Sequence, residues 1–231
     1  MSPVQSPSRP SSFQEVQEIV NSRSWLVAPI GRGNHGSAYI AMVNNDQVCL
    51  KAYHLFLDRN PAKVELDRLQ RARNELPEIK EYLQEPRGWL SDGTLGPLLV
   101  TNLVVDYSGR PSRTLQETCK VSQDFYAELE RVLSVFPKKG VLYNPVTANI
   151  LVQRVSETES RPVLIDLTNY NSYRHYPGKA CLHLFSAETV KGRVAVWIGK
   201  TLREVRQKVC ASEGGGFNSL SLPPRESYRH V

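Results

Sequence analysis

Long apolar runs, paired cysteines and dense blocks of one charge are all scarce in this chain, and each scarcity removes a class of function. No segment approaches the roughly 20 apolar residues that span a bilayer, and the first residues lack a cationic start followed by an apolar stretch. The expectation is a soluble cytoplasmic protein with no membrane partner. The four cysteines, Cys49, Cys119, Cys181 and Cys210, are far apart and form no C-x-x-C, which argues against a zinc site or a disulfide framework. Reduced structural thiols are the default. A net charge of +6 and a pI near 9.2 permit contacts with phosphates, acidic partners or nucleic acid. No lysine and arginine block is dense enough to choose among them, and nucleic acid is not the expected partner.

What the chain does contain is enough apolar material for a real core: 40% of its 231 residues are hydrophobic. Residues 1–12 are rich in serine and proline and read as a disordered leader, and residues 211–231, opening near a Gly-Gly-Gly run, read as a flexible tail. The folded unit is expected between them.

The most informative segment is Gly31-Arg-Gly-Asn-His-Gly36, followed fifteen residues after Gly36 by Lys51. Glycines at this spacing let backbone approach a phosphate closely, although the pattern alone is weak. Its flanks sharpen it. Trp25–Ile30 is a short apolar run, and Tyr39–Val43 and Val48–Ala52 enclose the turn signal Asn44-Asn45-Asp46. A dinucleotide-binding unit would open a helix directly after the glycines. Here strand, glycines, strand, turn and strand follow one another, and a lysine emerges on the third strand. That is the protein-kinase arrangement, in which a hairpin covers the phosphates and the lysine neutralises them. An ordinary hairpin with a glycine-rich turn is the bland alternative. Of five histidines only His35 falls inside the loop, whereas His175 and His183 read as surface or core residues.

Val64 to Leu83 is rich in helix formers, and Pro77 suits a first helical turn, so the helix is expected to start near Asn74. Glu75 or Glu78 could then face Lys51, as a helix glutamate does in kinases, or could simply favour the helix dipole. Leu98–Val105 reads as a buried strand, Asp106-Tyr-Ser-Gly109 as a turn, and Thr114-Leu-Gln-Glu117 as a capping box opening the next helix. Phe125, Leu129, Val132, Leu133 and Phe136 form one helical face that belongs to the core. Val194, Trp197, Ile198, Leu202, Val205 and Val209 read as a second packing stripe.

Val141–Val152 and Pro162–Thr168 flank an acidic turn, and they place Asn149 and Asp166 where kinases carry their two metal ligands. With these blocks in view the chain resembles the YrbL-like proteins of the PhoP regulatory network, a kinase-like family. The resemblance spans roughly Gly31 to Gln207. Its most specific segments are Asp106-Tyr-Ser-Gly-Arg-Pro-Ser112 and the Asn149-Ile-Leu block; it also covers the Gly36 loop, Lys51, Arg73-Asn-Glu-Leu76 and Val163-Leu-Ile-Asp166. It implies an α+β, compact two-lobed protein-kinase-like fold with a reduced C-terminal lobe, an N-terminal sheet lobe over 13–97 and the reduced lobe over 98–210. It further implies ATP and Mg as cofactors, Gly31, Gly33, Gly36 and Lys51 at the nucleotide, Asn149 and Asp166 at the metal, and Glu75 as the helix glutamate. A regulatory protein partner is implied as well.

Departures from the kinase pattern temper the chemistry. Five positions before Asn149, where a kinase has its catalytic aspartate, stands Asn144, and an amide cannot accept a hydroxyl proton. Val146 replaces a phosphate-contacting lysine, Asp166-Leu-Thr replaces D-F-G, and only about 65 residues follow without an A-P-E signature. The expectation is a pseudokinase or weak atypical kinase. An active protein or small-molecule phosphotransferase and a module that binds no nucleotide are the alternatives.

Overall fold

The computed structural model describes residues 26–32, 36–43, 46–53, 60–92, 96–167, 171–172 and 187–209. The leader, the tail, Gly33, His35, His175, His183, Cys181 and Cys210 lie outside them.

A five-stranded antiparallel sheet opens the described chain, built from β1 (Leu26–Arg32), β2 (Gly36–Val43), β3 (Asp46–Tyr53), β4 (Pro86–Asp92) and β5 (Gly96–Asn102) in the order β1-β2-β3-β5-β4. Side chains alternate across a strand, and here the alternation sorts two clusters. Val48, Leu50 and Ala52 of β3 join Ala41, Leu90, Leu98 and Val100 in one. Tyr53 and Leu99 enter the larger core instead. Lys51 shares strand parity with Tyr53, so it emerges on the face that meets the following helix.

That helix, α1, spans Pro61–Glu75, well before the start expected near Asn74. Asn60 caps it by accepting from the Lys63 N–H at 3.1 Å, and Pro61 occupies the first turn, where its missing N–H costs nothing. Ala62, Glu65, Leu66, Leu69 and Ala72 line its buried face. Pro77 does open a helical segment, but a short 3-10 one, Pro77–Tyr82.

Beyond the sheet come β6 (Arg113–Thr114), α2 (Gln123–Lys138), β7 (Val141–Leu142), β8 (Ile150–Arg154), β9 (Ser160–Leu164), β10 (Asn171–Ser172) and α3 (Ala187–Arg206). β6, β8 and β9 form a second antiparallel sheet, and β7 pairs with β10. Phe125, Leu129, Val132, Leu133 and Phe136 of α2 are completely buried, each stabilising the fold by about 1.5–3 kcal/mol. Val194, Ile198 and Val205 of α3 pack into the same core, while Trp197 stays partly outside it. Among the described residues, no helix is long and apolar enough to cross a membrane.

Thr114 and Glu117 do form a reciprocal capping box, with the Thr114 N–H donating to Glu117 Oε2 and the Glu117 N–H to Thr114 Oγ1. It closes a turn rather than opening α2, which Ser122 caps at the Phe125 N–H. Lys208 braces that turn, its ammonium donating to the carbonyls of Leu115, Gln116 and Thr118.

Candidate functional site

Lys51 is the centre of the site. Its Nζ lies 2.8 Å and 3.1 Å from the two carboxylate oxygens of Glu65 and 2.8 Å from Asp166 Oδ2. The glutamate expected here was Glu75, with Glu78 beside it. Instead, Glu75 sits at the last turn of α1, and Glu78 pairs with Lys139 at 2.9 Å. Register explains the change: with α1 starting at Pro61, Glu65 is the acidic residue on the helix face turned to β3.

Glu65 is only 1% exposed. Burial raises its pKa, and the Lys51 charge offsets part of that rise. For Lys51 burial opposes the charged form, but Glu65 and then Asp166 outweigh it and hold the ammonium above its usual pKa. Tyr53, two residues along β3, donates its hydroxyl to Glu65 Oε2, and its ring centroid is 5.1 Å from Lys51 Nζ. Nothing in the sequence reading singled out Tyr53; strand parity with Lys51 was the available signal.

Asp166 follows β9 with φ +52°, in the left-handed region that few residues other than glycine enter. Asn149 ends a short 3-10 turn, Thr147–Asn149, and its carbonyl accepts from the Ile165 N–H at 2.9 Å. Because Ile150 pairs with Leu164 across β8 and β9, this bond brings Asn149 beside the strand end that delivers Asp166. Asn149 and Asp166 present hard oxygen donors, which suit Mg, an ion usually held by one or two protein oxygens plus phosphate and water. Among the described residues there is no group of three His, Cys, Asp or Glu side chains that could hold a metal alone.

Asn144 stands half-buried in the loop between β7 and that turn. Thr201 of α3 fixes the loop by donating to the Pro145 carbonyl at 2.7 Å, and the Gln116 N–H donates to the Thr147 carbonyl at 3.2 Å. Val146 is exposed and brings no charge. The Asp106 turn is structural: its Oδ1 accepts from the Arg154 N–H at 3.0 Å and from Ser112 Oγ at 2.5 Å, tying the turn to β8.

Of the loop glycines, Gly31 lies in β1 and Gly36 begins β2. Gly36 is required by close approach, since a Cβ there would stand 2.1 Å from the Ala52 carbonyl oxygen. Gly31 has open space around it.

No family model matches the chain, and no curated protein matches it by sequence. Among solved structures, a crystal structure of a kinase domain matches with a TM-score of 0.57 and 15% identity, over 84% of this chain and 67% of that one. The fold is kinase-like. Mixed sheet and helix, the strand lysine, the carboxylate of α1 and the carboxylate after β9 therefore sit together within a kinase-like fold.

Proposed function

We propose that the chain is a nucleotide-binding, kinase-like regulatory protein of the YrbL type, compact and two-lobed with a reduced C-terminal lobe, that holds Mg-ATP and transfers phosphate weakly or not at all. The observation that carries this reading is the meeting of Lys51 with both Glu65 and Asp166. A part-buried ammonium held between two carboxylates could exchange one of them for a phosphate, and Asp166 would then be free to serve as an oxygen donor to a metal that accompanies it. Gly31, Gly33 and Gly36 would cover the phosphates, with Asn149 completing the metal donors.

Asn144 supports the regulatory half of the proposal. An amide at the base position has no useful pKa, and Val146 supplies no cation to the transferred group. Phosphoryl transfer relies mainly on positioning and charge neutralisation, so a low rate remains compatible with this arrangement. The role then lies in nucleotide-dependent contact with a protein partner.

Thermal shift with Mg-ATP tests the reading. A ligand at a hundred times its dissociation constant stabilises by about 2.7 kcal/mol, which a melting curve resolves easily. Asp166→Ala should lose the Mg-dependent part of the shift. No shift at millimolar nucleotide, with or without Mg, would remove the ATP reading.

A further inference from the structure

On the nucleotide-binding reading, the same site must stay assembled both with and without its ligand. Glu65 is a buried carboxylate, and such a group must keep its donors or take up a proton. Lys51 serves both of its oxygens but is shared with Asp166. When nucleotide is present, the same ammonium must also turn to phosphate. In either state the ammonium divides its donors between Glu65 and a second anion, Asp166 or phosphate, so a donor of its own would hold Glu65 through the exchange.

Tyr53 is placed to supply the difference. It is 4% exposed, its hydroxyl donates to Glu65 Oε2, and it stands on β3 rather than on α1. Its bond therefore crosses from sheet to helix, as the Lys51 bond does, and its hydroxyl is turned into the buried Glu65 carboxylate. We propose that Tyr53 is a positioning residue, a second and ligand-independent donor that pins Glu65, and α1 with it, against β3. The lysine–glutamate pair then stands assembled before nucleotide arrives, and regulation does not run through displacement of α1.

Tyr53→Phe keeps the ring and removes the donor. Calorimetric Mg-ATP affinity is measured for wild type, Tyr53→Phe, Glu65→Ala and the double variant, with Glu65→Leu in place of the alanine should that variant not fold. Losing a buried bond to a charged acceptor is expected to weaken Mg-ATP binding about tenfold in Tyr53→Phe. In the Glu65 background the same change should have no further effect. An equal loss in both backgrounds would show that Tyr53 acts only through general packing and would overturn the proposal, as would wild-type affinity in Tyr53→Phe.

Hydrogen exchange of the nucleotide-free protein tests the pin independently of ATP. Tyr53→Phe should speed exchange across α1 while leaving α2 unchanged. Unaltered exchange in α1 would sink the proposal even where wild type binds Mg-ATP. Faster exchange in α1 together with a wild type that binds no nucleotide would keep the pin and discard the nucleotide-binding reading.

Discussion

Tyr143 stacks on Phe136 with ring centroids 4.5 Å apart, yet its fully buried hydroxyl has no hydrogen-bond partner among the described residues. Tyr53 is the opposite case, a buried hydroxyl spent on a carboxylate. The same substitution should therefore change sign between them. Tyr143→Phe removes an unsatisfied polar atom and should stabilise by about 1 kcal/mol, whereas Tyr53→Phe strips a donor from a buried charge and should cost about 1.5–3 kcal/mol. Urea denaturation midpoints of the two variants decide the matter, and a destabilised Tyr143→Phe would mean that its hydroxyl has a partner after all.

Tyr53 and Lys51 also define an alkaline limit. Burial, followed by the Glu65 charge, pushes the Tyr53 phenol above its ordinary 10.0. Lys51 lies above 10.5 because its carboxylate partners outweigh its burial. In both cases the folded protein keeps a proton that the unfolded chain releases, so the stabilisation is complete below the unfolded pKa values and is lost as pH rises through and beyond them. Unfolding free energy should fall between about pH 10 and pH 12. Tyr53→Phe should flatten that slope by up to about 1.4 kcal/mol per pH unit, the weight of one proton. An identical slope in the variant would show that Tyr53 titrates alike in both states.

The strand position of Lys51 and the places of Asn149 before β8 and Asp166 after β9 were legible because their periodicity and turn signals are local. Glu65 was not read, although its signals were present. Asn60-Pro61 is an N-cap followed by a first-turn proline, and Ala62, Glu65, Leu66, Leu69 and Ala72 keep helical spacing. Pro77, a second first-turn proline, mimics a helix start further along the chain. A glutamate on the apolar face of a helix was the flag, since such residues are rarely buried without a partner. Other features depend on distant chain. Thr201 fixing the Asn144 loop and Lys208 consuming the carbonyls after Thr114 arise only once α3 has packed.

The two described loop glycines should respond differently to alanine. At Gly36 the added Cβ meets main-chain atoms of Ala52 where β2 pairs with β3, so neither partner can move without breaking the ladder. Gly36→Ala is expected to cost about 3 kcal/mol. Gly31→Ala meets nothing and should stay within about 0.5 kcal/mol of wild type. Thermal melts of both variants make the comparison, and equal melting temperatures would contradict the close approach at Gly36.

Cys49 should be chemically silent in the folded state. Burial pushes its thiol up to about 11, with the Thr101 hydrogen bond and Lys51 pulling the other way. The reactive species is the thiolate, so at mildly alkaline pH little of it forms and none is reached by reagent. Cys119 is exposed. Iodoacetamide followed by peptide mapping should modify Cys119 in native protein and Cys49 only after denaturation; native labelling of Cys49 at a comparable rate would show that its surroundings open readily.

Under the proposed function, Asn144 would carry the distinction between a weak enzyme and an active one. The loop that holds it is fixed at Pro145 by Thr201 and lies next to the turn that ends in Asn149, so a carboxylate placed there would inherit a rigid position. A positioned base contributes on the order of a hundredfold or more to proton transfer. Asn144→Asp is therefore expected to raise phosphoryl transfer from radiolabelled ATP, to protein or to water, about a hundredfold above the native rate. Under the proposed function Val146 would limit the gain, because it offers no cation to a transferred group. Adding Val146→Lys to Asn144→Asp should raise the rate again if these two positions are what the loop lacks. Ready transfer by the native protein, left unchanged or lowered by Asn144→Asp, would show that Asn144 does not occupy a base position and would remove the regulatory reading's main support.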